Sequence, residues 1–312
     1  MQRKRIIIGS RGSKLALWQS EWVKEQLNSL DPGIEIELEI IHTSGDKNRQ
    51  DPLSIIGGKG VFTKELEDAL LSRRIDVAVH SLKDLPTVLV PELGVAAITQ
   101  REDPRDALVL PSGDSDLAQH SINGLPAGAR VGTSSPRRLA QLRHIRPDLE
   151  LLDLRGNIDT RLRKLDEGNY DAIILASAGL RRLGLDHRIS AAISIDEMLP
   201  AVGQGALGIE TRMEDIDLVE LLLRLEHAPT RAACTAERAM LRSLGGGCQL
   251  PIAGHATVES TNLRLTGLVA SVSGATVIRD EISGPVEAAA ELGAKLGLSL
   301  LEHGAMPILS EV

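Results

Sequence analysis

Arginine stands beside glycine or small hydroxyl residues at three points where a short apolar run gives way to a helical pattern. The segments are Gly9-Ser10-Arg11-Gly12-Ser13, Gly132-Thr133-Ser134-Ser135-Pro136-Arg137-Arg138 and Leu154-Arg155-Gly156-Asn157. The first backbone N–H groups of a helix lack partners and carry partial positive charge, so helices opening in such loops favour anions. In the second segment Ser135 suits the N-cap and Pro136 the first helical position, which leaves Arg137 and Arg138 in the first turn. Cations there oppose the helix dipole by roughly 0.3–1 kcal/mol each, and a bound carboxylate or phosphate reverses that balance. Any one of these loops alone reads as a capped turn with solvated arginines. Three at the same end of open α/β sheets point instead to a polyanion site. Arg161 and Arg182 extend the set, whereas Arg181 is expected to face solvent.

Two further segments carry chemistry. The run Ile75-Asp76-Val77-Ala78-Val79-His80-Ser81-Leu82-Lys83-Asp84 is a strand that ends in titratable groups, and Asp84 there suits a general acid/base or the stabilisation of a cation. Gly57-Gly58-Lys59-Gly60 is a flexible loop with a lysine, without P-loop spacing. Cys248 follows three glycines in Gly245-Gly246-Gly247-Cys248-Gln249, a backbone with little side-chain cover that leaves a thiol accessible. Cys234 lies within a helical pattern and reads as a small core residue. The eight histidines form no triad and no metal-ligand spacing.

These residues are carried by alternating strands and helices. Strands are expected at 5–9, 34–40, 75–80 and 94–99, and helices at 14–30 and around Phe62, Leu66 and Leu70. A charged, proline-containing stretch at 101–105 reads as a hinge. Beyond it the alternation repeats, with strands at 130–132, 150–154 and 171–176 and helices at 136–145 and 157–167. Such alternation implies parallel sheets with helices on both faces. After residue 205 the pattern becomes two helices (212–226 and 229–244), three β-like runs between 252 and 283, and a last helix over 285–303.

The whole has 312 residues, 42% hydrophobic and 25% charged, which is a globular composition. No apolar run approaches a membrane span, the basic head at residues 1–5 precedes too short an apolar stretch for a signal peptide, and two cysteines make no disulfide scaffold. A reducing cytoplasm is the expected compartment. The net charge is −8, yet residues 130–188 hold 12 Lys+Arg against 8 Asp+Glu. With 1% aromatic residues, stacking platforms are scarce, so a small acidic ligand is expected rather than nucleic acid.

Taken in order, these segments resemble the porphobilinogen deaminase (hydroxymethylbilane synthase) family over nearly the whole chain. The motifs are Arg11-Gly12-Ser13-Lys14-Leu15-Ala16-Leu17-Trp18-Gln19, Gly57 to Phe62, His80 to Asp84, and Arg101-Glu102-Asp103-Pro104-Arg105-Asp106-Ala107. They continue through Gly132 to Arg138, Leu154 to Asn157, Leu199-Pro200-Ala201-Val202-Gly203-Gln204-Gly205, and Glu237-Arg238-Ala239 with Gly246-Gly247-Cys248-Gln249. Pro136 stands where the family pattern has leucine, a change compatible with a first helical position.

The resemblance implies two periplasmic-binding-protein-like α/β domains with mixed or parallel sheets and a smaller α+β domain. The boundaries expected are 1–100 with 204–222, 105–199, and 226–312. It also implies a dipyrromethane cofactor joined by a thioether to Cys248, onto which four porphobilinogen units are condensed before water releases the tetrapyrrole. Asp84 is then the catalytic carboxylate. Ser81, Lys83, Asp84, Thr133, Ser134, Ser135, Arg137, Arg138, Arg155 and Gly156 would bind the cofactor, and Arg11, Ser13, Lys59, Arg155, Arg161 and Arg182 the substrate. The family suggests a monomer. A non-catalytic receptor for a small carboxylate is the alternative that the hinged α/β pair leaves open.

Overall fold

The computed structural model describes residues 5–43, 63–113, 121–247 and 250–310. Its strands, in chain order, are β1 (Arg5–Ser10), β2 (Glu35–Ile40), β3 (Val77–Ser81), β4 (Leu93–Ile98), β5 (Asp106–Val109), β6 (Arg130–Gly132), β7 (Glu150–Leu152), β8 (Ala172–Ala176), β9 (Ala191–Ala192), β10 (Leu207–Arg212), β11 (Ile252–Glu259), β12 (Asn262–Ala270) and β13 (Val277–Pro285). They make three sheets, ordered β2-β1-β3-β10-β4, β7-β6-β8-β5-β9 and β11-β12-β13. The chain falls into two compact units, Met1–Glu102 with Ala206–Arg231, and Asp103–Gly205 with Ala232–Val312.

The first two sheets share one layout. In each, three parallel strands are followed in space by one antiparallel strand, β10 in the first sheet and β5 in the second. Both antiparallel strands are the first strand after the chain crosses from one unit to the other. The fold class expected from the sequence is thus present, as α/β with mixed sheets. Parallel pairing puts the C-terminal ends of β1 and β3 on one edge of their sheet, and those of β6, β7 and β8 on one edge of theirs. The loops singled out by their arginines all leave from those edges.

Sequence periodicity located most parallel strands and the long helices, and the helices Lys14–Leu30 and Pro136–Ile145 begin and end where expected. It missed β5, β9, β10 and the helix Ser177–Arg182. All six residues of β10 are buried, Glu210, Thr211 and Arg212 among them, so apolar and polar residues do not alternate. β5 has four residues and β9 two, too few for a period to show.

The third sheet packs against the helices Ala228–Ser243 and Ala289–Leu300 around Met240, Leu263, Leu265, Val269, Leu296 and Leu300. Cys234 is fully buried, as a core residue should be. The two helices approach closely at Gly293, where an added Cβ would lie 2.1 Å from the Ala236 carbonyl oxygen. No described helix is long and apolar enough to cross a membrane. Gly293→Ala should force the helices apart, an overpacking cost of about 1–3 kcal/mol. A thermal melt should then show the midpoint lowered by roughly 2–10 °C, and an unchanged midpoint would contradict this contact.

Candidate functional site

In the first unit β1 runs into Arg11-Gly12-Ser13, and Ser13 caps the following helix by accepting the Ala16 N–H at 3.3 Å. β3 runs into a single 3₁₀ turn, Leu82–Asp84. The two loops are joined by Gln19, buried on the capped helix, whose Nε2 donates to Ser81 Oγ at 2.8 Å. Leu82 anchors the turn in the core while Lys83 is half-buried and Asp84 exposed. The fold therefore gathers Arg11, Ser13, Ser81, Lys83 and Asp84 at one edge of one sheet. His80, one residue before Ser81, turns to the other face and pairs with the buried Glu210 at 2.9 Å.

In the second unit Ser134 brackets two loops. Its hydroxyl donates to the Leu154 carbonyl at 2.8 Å and accepts the Leu154 N–H at 3.0 Å. That bond holds the Thr133–Ser135 turn beside Arg155 and Gly156. Gly156 has φ +116°, and an added Cβ would meet Thr160 at 2.8 Å, so the turn requires glycine. Asn157 caps the next helix by accepting the Thr160 N–H at 3.0 Å. Arg155 is half-buried, with its Nε donating to Asp153 at 2.7 Å. Burial pushes the Asp153 carboxyl up, but the Ser134 hydroxyl and Arg155 outweigh it, and the net shift is downward. Arg161 Nε turns back to the Gly156 carbonyl at 2.7 Å, and Arg182 Nη2 donates to the Gly205 carbonyl at 2.6 Å. Arg181 is exposed, as expected, and also pairs with Asp103 at 3.1 Å.

Arg137 and Arg138 behave differently from solvated first-turn cations. Ser135 occupies the N-cap without a side-chain cap bond, Pro136 follows, and both arginines are buried. Each meets Asp106, the first residue of β5, whose side chain has no solvent exposure. Arg137 Nη1 donates to Asp106 Oδ2 at 2.8 Å and to the Leu199 carbonyl at 2.7 Å. Arg138 Nη2 donates to Oδ1 at 2.7 Å and Nη1 to the Ile174 carbonyl at 3.0 Å. Gln204 Nε2 adds a further bond to Oδ1 at 2.9 Å. Burial opposes the Asp106 charge, yet the two guanidiniums outweigh it and hold the carboxyl far below the usual carboxylate range. Burial pushes the Arg137 guanidinium down, and Asp106 only partly offsets that while Arg138 adds to it.

The sequence reading missed Asp106, Gln204 and Asp153 as site-building residues. Asp106 and Gln204 both stand in motifs singled out above, but nothing local ties either to an arginine more than 30 positions away. Lys59, the rest of its glycine loop and Cys248 lie outside the described residues.

Fold and loops together define an α/β protein with two mixed sheets, each with arginine-bearing loops at the C-terminal ends of its parallel strands that suit carboxylate ligands. Residues 6–220 match the family model for the porphobilinogen deaminase dipyromethane cofactor binding domain, and residues 231–302 match that for the porphobilinogen deaminase C-terminal domain. The porphobilinogen deaminase of Pelobacter propionicus is 51% identical over all of this chain and 98% of its own length. That of Syntrophotalea carbinolica is 52% identical over 99% of this chain and 96% of its own. Among solved structures, the BenM effector binding domain with its effector benzoate aligns with 71% of this chain and 90% of its own at 18% identity, with a TM-score of 0.44. The chain belongs to the porphobilinogen deaminase family.

The buried cluster has a measurable signature. The folded carboxyl of Asp106 titrates below its unfolded value, so its stabilisation is full above about pH 4 and is lost only as pH falls towards the depressed value. Asp106→Asn keeps the shape but leaves two buried guanidiniums without their counter-charge, which should cost about 3–5 kcal/mol. The thermal midpoint of the variant should lie well below wild type by a constant margin from about pH 8 to about pH 5. A margin that closes within that window would place the Asp106 titration elsewhere.

Proposed function

We infer that this chain is a transferase that deaminates four porphobilinogen molecules and condenses them head to tail onto a covalent dipyrromethane primer. Water then releases the linear tetrapyrrole hydroxymethylbilane, and the primer stays behind. Both family models and the near-full-length relatives support this reading. Within the structure, the observation that carries it is the charge of the Asp106 cluster. Among the described residues, two buried guanidiniums share the one carboxylate of Asp106, which leaves the cluster with a net positive charge. A ring system bearing acetate and propionate groups supplies the counter-charge, and guanidinium binds carboxylate in a bidentate fork.

The donor set therefore fits the primer. We assign Thr133, Ser134, Ser135, Arg137, Arg138, Arg155 and Gly156, together with Ser81, Lys83 and Asp84, to the primer and its carboxylates, and Cys248 to the thioether. When bound, the primer supplies the nucleophilic pyrrole carbon for the first condensation. We assign Arg11, Ser13, Lys59, Arg155, Arg161 and Arg182 to the carboxylates of incoming porphobilinogen.

Each condensation breaks the bond from the aminomethyl carbon to nitrogen and the C–H bond of the acceptor pyrrole carbon, forms one carbon–carbon bond, and releases ammonia, which takes the place of that hydrogen in the balance. Loss of ammonia leaves an electron-poor methylene-pyrrole cation. Asp84, exposed on a turn that Leu82 anchors, is the carboxylate that stabilises it at the pyrrole nitrogen. A neutral side chain there would leave the developing charge to solvent. We also propose that the protein is a cytoplasmic monomer, and that the third sheet with its helices forms a separate domain over 226–312 after the domains 1–100 with 204–222 and 105–199.

The intact mass of the purified protein should exceed that of the chain by two linked pyrrole rings, and Cys248→Ser should lose both the adduct and turnover. An unmodified yet fully active wild-type chain would refute the assignment. Arg155→Ala removes a charge-assisted contact of roughly 1.5–3 kcal/mol, so kcat/KM should fall on the order of ten- to a hundredfold with little change in thermal midpoint. Activity within twofold of wild type would remove Arg155 from the site.

A further inference from the structure

The chain enters the second unit at Asp103 and first leaves it after Gly205, and one short helix sets an arginine beside each point. On the way in, Asp103 is held by Arg105, whose Nη2 donates at 2.8 Å, and by Arg181 at 3.1 Å. On the way out, the Gly205 carbonyl accepts Arg182 Nη2 at 2.6 Å. Neighbouring arginines of one short helix, Ser177–Arg182, thus grip the two connections. Between them lies Gln204, 1% exposed. Its Nε2 donates to the Pro104 carbonyl at 2.7 Å and to Asp106 Oδ1 at 2.9 Å, the oxygen that also accepts Arg138.

Both N–H groups of one amide are therefore used, one on the incoming connection and one on the arginine cluster, by a residue of the outgoing connection. A carboxylate in its place would face Asp106 with like charge, and an apolar side chain would leave the Pro104 carbonyl without this donor. Glu237 reinforces the arrangement from the helix Ala228–Ser243. Its carboxylate accepts the Gly203 N–H at 2.7 Å and the Ala256 N–H at 2.8 Å, which fixes the backbone just ahead of Gln204.

We propose that Gln204 is a positioning residue of the site described above: it binds the first two of the three inter-unit connections and the Arg137–Arg138 pair into one hydrogen-bonded group. The aim of the two guanidiniums is then set by how the chain enters and leaves the second unit. Gln204 touches neither primer nor substrate and acts through Asp106. The inference rests on the functional reading given above and deepens it.

The test compares the primed wild-type protein with Gln204→Met, which keeps length and buried volume but donates no hydrogen bond. The variant should retain the full primer adduct by intact mass, and its KM for porphobilinogen should stay within twofold. Its kcat should fall on the order of tenfold. In ¹⁵N NMR the Arg138 Nε–H, which also donates to Asp106 Oδ1, should exchange with solvent faster in the variant. A folded variant with kcat within twofold and unchanged exchange would overturn the proposal. So would a KM that rises in proportion to primer loss, since that marks a direct ligand contact. Should the methionine variant fail to fold, Gln204→Asn, which keeps the amide but shortens its reach by one methylene, carries the same expectation. A wild-type chain with neither adduct nor turnover would refute the functional reading itself. A primed, active wild type beside a normal variant would refute only the role of Gln204.

Discussion

A carboxylate without solvent access that holds two guanidiniums is an unusual thing to build into an interior, because removing three charges from water is expensive unless each is paired and hydrogen-bonded. Asp106 meets that condition with bonds from Arg137, Arg138 and Gln204, while the Leu199 and Ile174 carbonyls each accept one further guanidinium N–H. The cluster reaches from the first residue of β5 to the first turn of the helix Pro136–Ile145 and on to the outgoing connection. It also resolves a local conflict. Two arginines at a helix N-terminus oppose the dipole, and the buried carboxylate offsets that repulsion without cancelling the positive charge that an anionic ligand needs.

The first unit repeats the layout with different chemistry. Its antiparallel strand β10 also carries a buried acid, Glu210, which meets His80 on the neighbouring parallel strand at 2.9 Å. On the same strand Arg212 donates to Asp76 at 2.9 Å and to the Leu70 and Ile75 carbonyls. In each of these sheets, then, the strand that follows a crossover carries a buried acid: Glu210 meets His80 of the neighbouring β3, and Asp106 reaches the first turn of the helix that follows β6. Hydrogen-bonded ion pairs suit such junctions because they specify one register, and a sheet that slipped by one residue would bury them unpaired.

The arginine-bearing loops, the Ser81–Asp84 turn and most flanking elements were legible in the chain itself, because cap residues, short apolar runs and helical periodicity act over a few positions. The crossover strands β5 and β10 were not. In β10 buried polar residues erase the alternation that marks a strand, β5 has only four residues, and the partners of both lie far off in sequence. The same holds for the roles of Arg137 and Arg138, which look solvated until Asp106 is placed beside them.

What the sequence by itself determined is the repertoire: an anion-binding chain with hydroxyl, glycine and arginine loops at strand ends, one carboxylate on the turn after β3, and the family to which such motifs in such order belong. These depend on local backbone preference and on side-chain type. Tertiary structure alone decided which charges are buried, that one aspartate serves two arginines, and that a glutamine 98 positions away completes the group. Burial and pairing across such separations are properties of packing, and no short-range pattern encodes them.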